Sequence, residues 1–256
     1  MAVYFAVSDI HGCFNELLGL HSQIEQTIEE EFSHREDVFI VFLGDYVDRG
    51  PRSKFVIDFL IGLDPDRHIT LPGNHEQIML DFLEADEDDL LRTSGVWFRN
   101  GGLETLASYA AGRSHPIFNP HTRYDLASLV SAQALVPEDH KAFLEKLLDN
   151  RHPYFKDDAD KLFFVHAGID PSKRLSEHSV EEFLWSRDPR LLDGSTKWVE
   201  DYLAIHGHTP CGEHPLINAN RISVDTGCVY GGKLSAVILV DGDVSGVLQS
   251  SRSNVG

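Results

Sequence analysis

FLGDYVDRG, spanning Phe42–Gly50, is the stretch that decides the fold. An apolar run (Val38–Leu43) reaches a glycine and then delivers two aspartates and an arginine within five residues. A run of that length and β-branched, aromatic character reads as a buried strand. Four other runs end in the same way: FAVSDIHG (Phe5–Gly12), LPGNHE (Leu71–Glu76), FFVHAG (Phe163–Gly168) and AIHGHT (Ala204–Thr209). In open α/β sheets, ligands bind beyond the carboxyl ends of the strands. Five strand ends carrying Asp, Asn and His therefore converge on one site. Glycine recurs in each cluster because tight strand-to-loop turns need left-handed backbone or close approach.

Working outward, strands are expected at Val3–Val7, Val38–Leu43, Ile69–Leu71, Leu162–Val165, Ala204–Ile205, Ile222–Val224 and Ala236–Val240. Helices are expected at Asn15–Glu31, Ser53–Leu63, Gln77–Ala85, Leu103–Ala111 and Glu138–Asp149, the last with Pro137 at its start. This alternation is that of an α/β protein. Its 256 residues read as a single domain, residues 1–256, with a helical cap or insertion over about 77–160, where no strand pattern is visible. The acidic run Glu84–Asp89 reads as a solvated surface. The polar tail from Ser250 to Gly256 is expected to fray. Asp241-Gly242, between two apolar runs, reads as a hairpin turn.

Charge narrows the function. Lys+Arg 22 against Asp+Glu 41 gives −19, the opposite of the basic track a nucleic-acid binder needs. Three cysteines, Cys13, Cys211 and Cys228, form no CxxC pair, so neither a disulfide scaffold nor a thiolate zinc site is expected. Cys13 reads as a packing residue. No run approaches the length of a membrane span, and the N-terminus has no basic leader, so no membrane partner and a cytoplasmic location are expected.

The clusters supply a coherent donor set. Asp9 and His11, two apart in extended backbone, point to one side. Asp45, Asn74, His166 and His208 follow the next four strands. Three imidazoles, two carboxylates and one amide oxygen, with no sulfur, suit manganese, iron or zinc better than calcium. Six donors are too many for one open catalytic ion and suit two ions sharing a carboxylate. His206 lies two residues before His208 and is a weaker candidate ligand.

SDIHG, GDYVDRG, GNHE, HAG and HGHT resemble, in order, the signatures of the phosphoprotein phosphatase branch of the metallophosphoesterases. The resemblance runs from Asp9 to about Gly232. FLWSR (183–187) and DTGCVYGG (225–232) further resemble the bacterial and phage subgroup that includes bacteriophage lambda protein phosphatase. Ser8 stands where that family usually has glycine. The resemblance implies a four-layer α/β/β/α sandwich and two divalent metal ions, most commonly Mn2+, with Fe or Zn also compatible. It implies Asp9, His11 and Asp45 on one ion and Asp45, Asn74, His166 and His208 on the other. The resemblance implies that Asp45 bridges the two ions and that a metal-bridging hydroxide attacks phosphorus in line. It further implies Arg49 and Arg187 as phosphate clamps, His75 as general acid and Asp48 as the carboxylate orienting it. The substrate implied by FLWSR and DTGCVYGG is phosphoserine or phosphothreonine in a phosphorylated protein. The alternative is a dinucleoside polyphosphate, cleaved symmetrically.

Overall fold

The computed structural model describes residues 2–119, 124–149, 153–187 and 196–251. Two five-stranded sheets form its centre. In the first, β1 (Val3–Val7) pairs in parallel with β2 (Val38–Phe42), which pairs in parallel with β3 (His68–Thr70). In the second, β4 (Tyr154–Asp157), β5 (Leu162–Val165), β6 (Leu203–His206), β7 (Leu216–Asn218) and β8 (Arg221–Ser223) lie in the order β4-β5-β6-β8-β7. The central β5, β6 and β8 run parallel. β9 (Ser235–Val240) and β10 (Asp243–Gln249) return to the first sheet, whose order is β10-β9-β1-β2-β3.

Side-chain alternation builds the layers. Successive strand residues face opposite sides. Tyr4, Ala6, Val41 and Leu43 therefore turn toward Phe164, Ile205 and Ile222 of the second sheet, closing one apolar layer between the sheets. Tyr4 and Phe164 meet there with ring centroids 5.2 Å apart. Val3, Phe5 and Val7 turn the other way, onto α1 (Phe14–Glu31) through Leu17, Leu20 and Ile24, and onto α2 (Ser53–Ile61) through Val56, Ile57 and Leu60. Phe163, Val165 and Ala204 face outward onto Phe183 of α8 (Val180–Trp185) and onto Trp198. The result is the expected α/β/β/α sandwich.

Between β3 and β4 lie α3 (Asn74–Leu83), α4 (Leu90–Arg99), α5 (Gly102–Ala110), α6 (Leu126–Gln133) and α7 (Glu138–Leu148). Their apolar faces join the cluster beneath α1 and α2. Three expectations need correcting. The interval to Lys161 is not free of strand, because β4 pairs antiparallel with β5 at the sheet edge. Its polar half-exposed residues hid it. β7 and β10 are half-exposed edge strands, and β10 carries a bulge between Val244 and Gly246 that breaks its period. Ser250 does not fray: its N–H donates to Leu234 O at 2.8 Å, and its hydroxyl accepts from Leu234 N. Residues 252–256 lie outside the described residues. Among the described residues, no helix is long and apolar enough to cross a membrane.

Candidate active site

The five clusters meet at the carboxyl ends of β1, β2, β3, β5 and β6. The backbone there is unusual. His11, Asp45, Asp48, Arg49 and His208 all have positive φ, between 44° and 71°. Such conformations cost free energy in non-glycine residues and are held by the surrounding packing. Two glycines are fixed by close approach. A Cβ at Gly73 would stand 2.2 Å from Asp45 Oδ1, and one at Gly207 would stand 2.1 Å from Asp9 Oδ1.

Asp45 stands between two donor groups. Its Oδ2 lies 3.4 Å from His11 Nε2, and its Oδ1 lies 3.4 Å from His166 Nε2. The donor atoms of Asp45, His166 and His208 lie within 4.8 Å of one another, as do those of His11, Asp45 and His75. His11 Nδ1 faces Val47 O at 2.7 Å, and His166 Nδ1 faces Leu43 O at 2.9 Å. A carbonyl only accepts, so both Nδ1 atoms carry the proton and both Nε2 atoms are acceptors. The His166 lone pair faces Asn74 Oδ1 at 3.0 Å and His208 Nδ1 at 3.1 Å. His208 Nε2 is buried with no hydrogen-bond partner. Acceptors gathered on acceptors in a buried space are the arrangement that a cation completes, so the residues fit divalent ions.

The charges agree. Desolvation holds the Asp9 and Asp45 carboxyls well above the usual carboxylate range. It holds His11 and His208 well below theirs, and pushes His166 down to about 3. Neutral imidazoles bind a cation without losing a proton from nitrogen, and carboxyls whose charged form is disfavoured by burial and by one another are groups whose charge a cation would compensate. Asp9 is placed by its neighbours: both of its oxygens accept the His208 N–H at 3.0 Å.

His75 and Asp48 form a buried pair, with Nδ1 2.7 Å from Oδ2. Trp97 Nε1 and Thr105 Oγ1 each donate to Asp48 Oδ1 at 2.8 Å. Burial pushes Asp48 up to about 8 and His75 down to about 3. Two groups this close titrate as a unit. The Thr105 and Trp97 donors favour the carboxylate form of Asp48 and offset part of the desolvation that raises it.

Arg49 and Arg187 line one cleft with Asp9, His11, His208, Asp225 and Tyr230. Arg49 Nη1 reaches His11 Nε2 at 2.5 Å, and its guanidinium lies 5.7 Å from the Tyr230 ring centre. His206 stands apart from the donor groups. Arg221 Nη1 donates to its Nε2 at 3.2 Å, and its Nδ1 faces Gly207 O, so both ring nitrogens are engaged elsewhere. Cys13 packs against the main core, as expected.

Sequence reasoning missed Glu76 and Asp225. Glu76 is fully buried and accepts from the backbone N–H groups of Asp45, Tyr46 and Gly73 at 2.7–2.8 Å. It thereby locks the Asp45 and Asn74 loops together, and burial pushes it up to about 7. A glutamate three residues after the glycine that opens a helix was the available signal. Asp225 is buried beside the cleft, and its charge helps to raise Asp9.

The sequence model for calcineurin-like phosphoesterases matches residues 3–248. A protein of Anoxybacillus flavithermus named bis(5'-nucleosyl)-tetraphosphatase PrpE, asymmetrical, is 29% identical over 252 residues, covering 92% of this chain and 89% of its own. A Bacillus subtilis protein of the same name is 28% identical over 246 residues, covering 91% and 88%. A crystal structure provisionally named a diadenosine tetraphosphatase superposes with a TM-score of 0.60 at 19% identity, covering 98% of this chain and 95% of its own, and shares the fold. These relatives overturn the expectation of a phosphoserine/phosphothreonine protein phosphatase. FLWSR and DTGCVYGG misled because much of what they encode is scaffold. Phe183 packs under the second sheet, Leu184 is fully buried, and Gly227 and Gly231 supply positive-φ turns. Neither task depends on what the phosphoryl group is attached to.

Proposed function

The chain belongs to the calcineurin-like phosphoesterase family, and from that premise we propose that it hydrolyses dinucleoside polyphosphates, splitting them asymmetrically. The observation that carries this reading is the name shared by relatives that align over nearly the whole chain. Their qualifier favours ATP and AMP as the products of diadenosine tetraphosphate, in place of the two ADP of a symmetrical split.

Asp9, His11 and Asp45 would hold one divalent ion, and Asp45, Asn74, His166 and His208 the other. The two oxygens of Asp45, each facing a different imidazole, support its sharing. When bound, such a pair of ions neutralises phosphoryl charge and acidifies water. The all-nitrogen-and-oxygen donor set suits manganese, iron or zinc alike.

The chain's own residues do the rest. Arg49 and Arg187 offer planar paired donors to the phosphate chain. Arg49 leaves His11 to do so. His75 Nε2 gives its proton to the departing phosphate oxygen as the P–O–P link opens, and Asp48 keeps the ring turned correctly by accepting from Nδ1. Tyr230 is 66% exposed at the cleft mouth and offers a face on which an adenine base can stack. Glu76 and Trp97 are positioning residues, acting through Asp45 and Asp48 respectively.

Product analysis tests the reading. Purified protein supplied with Mn2+ and diadenosine tetraphosphate should release ATP and AMP in equal amounts. Two ADP per substrate would overturn the asymmetry, and an absence of turnover would overturn the substrate class.

A further inference from the structure

A second group of metal donors lies away from this centre. His21 and Glu25 sit one turn apart on α1, and His68 opens β3 at the end opposite Asn74. Their donor atoms lie within 4.8 Å of one another. His21 Nε2 is 3.7 Å from Glu25 Oε1, and the two imidazole centroids are 5.9 Å apart. With Zn–N bonds of about 2.1 Å, two imidazoles on one tetrahedral ion hold their centroids roughly 5 Å apart, so a small ring rotation closes the group.

The independent observation is that the Nε2 atoms of both His21 and His68 are buried and have no hydrogen-bond partner. His68 Nδ1 faces Asp64 O at 2.8 Å and so carries the proton, leaving a bare lone pair on Nε2. Metal-bound histidines usually donate their second nitrogen to a backbone carbonyl in this way, which fixes tautomer and ring direction. Phe59 and Phe42 pack against the two rings and restrict them further. Glu25 divides its oxygens: Oε2 faces Arg67 at 3.8 Å, while Oε1 faces His21.

We propose that His21, Glu25 and His68 bind a zinc-class divalent ion, separate from the hydrolytic centre, that ties α1 to the edge strand β3. Two imidazoles and one carboxylate form a donor set that zinc accepts, with a fourth position for water. The ion would pin β3, which has a sheet neighbour on one side only.

The test is metal stoichiometry. Protein stripped with chelator is equilibrated with micromolar free zinc, freed of excess metal and assayed for bound zinc. His21→Gln, Glu25→Gln and His68→Gln are each expected to bind one equivalent less than wild type. Their manganese-supported hydrolysis should stay within about twofold, since none touches the cleft. Zinc should also raise the wild-type Tm by a margin that the variants lose. Unchanged stoichiometry in the variants that fold would overturn the site. If His68→Gln does not fold, the two helix-surface variants decide. Because the readout is bound metal, failure here is distinct from failure of the proposed hydrolytic activity.

Discussion

Replacing His75 with asparagine removes the imidazole bonded to Asp48, and the size of the loss should depend on what is leaving. The ring is 99% buried and bonded at 2.7 Å to a carboxylate that itself accepts two further hydrogen bonds. A positioned general acid typically contributes about 10²–10⁴ in rate, or roughly 3–5 kcal/mol of barrier. A departing phosphate has a second pKa near ~6 and needs little help at pH 8. A departing phenol, with a pKa near ~10, needs most of it. His75→Asn should therefore cost roughly 10-fold in kcat/KM on diadenosine tetraphosphate but about 10³-fold on phenyl phosphate. Asp48→Asn should show the same imbalance, because an amide can present N–H to Nδ1 and reverse the tautomer. The assay is the ratio of variant to wild-type kcat/KM on each substrate, with bound manganese measured to confirm an intact centre. Equal losses on both substrates would refute the acid role.

Other consequences are sharp enough to test. Gly207→Ala forces a Cβ into Asp9 Oδ1, so it should lower bound manganese and cut activity at least 10-fold, while a neutral result would remove Asp9 from the centre. Trp97→Phe deletes one donor to Asp48 and should lower kcat more than it raises KM; a change confined to KM would argue against positioning. His206 is buried and pushed down to about 4 from 6.5. Its folded value is below its unfolded one, so stability is intact above pH 6.5 and falls as pH drops toward 4. The full loss is about 3 kcal/mol. In metal-free protein, His206→Gln should flatten the dependence of the urea midpoint on pH across that window by about one proton's worth, and parallel curves would contradict it. Chelation should abolish hydrolysis, and Mn2+ should restore it without refolding; recovery with no added metal would count against a metal centre.

Much of this was legible because most of the strands that hold the site, β1, β2, β5 and β6, are largely buried on both faces. Val3–Val7 and Leu162–Val165 could be read residue for residue, since nothing but strand suits such runs. Asp241-Gly242 also read true: both residues have positive φ and join β9 to β10 in two residues. β4, β7 and β10 were illegible because edge strands bury one side at most. The candidate ligands announced themselves by lying at strand ends. Glu76 and Trp97 did not, because each acts through another side chain or the backbone, and only the folded chain brings Trp97 to Asp48. The substrate was misread for a related reason. Motifs around the cleft record how it is built, while the surface that a group beyond the phosphate would meet, such as the exposed Tyr230 ring at the cleft, is defined by few residues.

The central claim is most directly tested by a competition. Diadenosine tetraphosphate and a phosphothreonine peptide would be offered to the manganese-loaded protein at equal concentration, with Asp45→Asn as the control for contaminating hydrolases. The account predicts much higher kcat/KM on the dinucleotide, release of ATP and AMP, and loss of both activities in the control. Faster turnover of the peptide would contradict it.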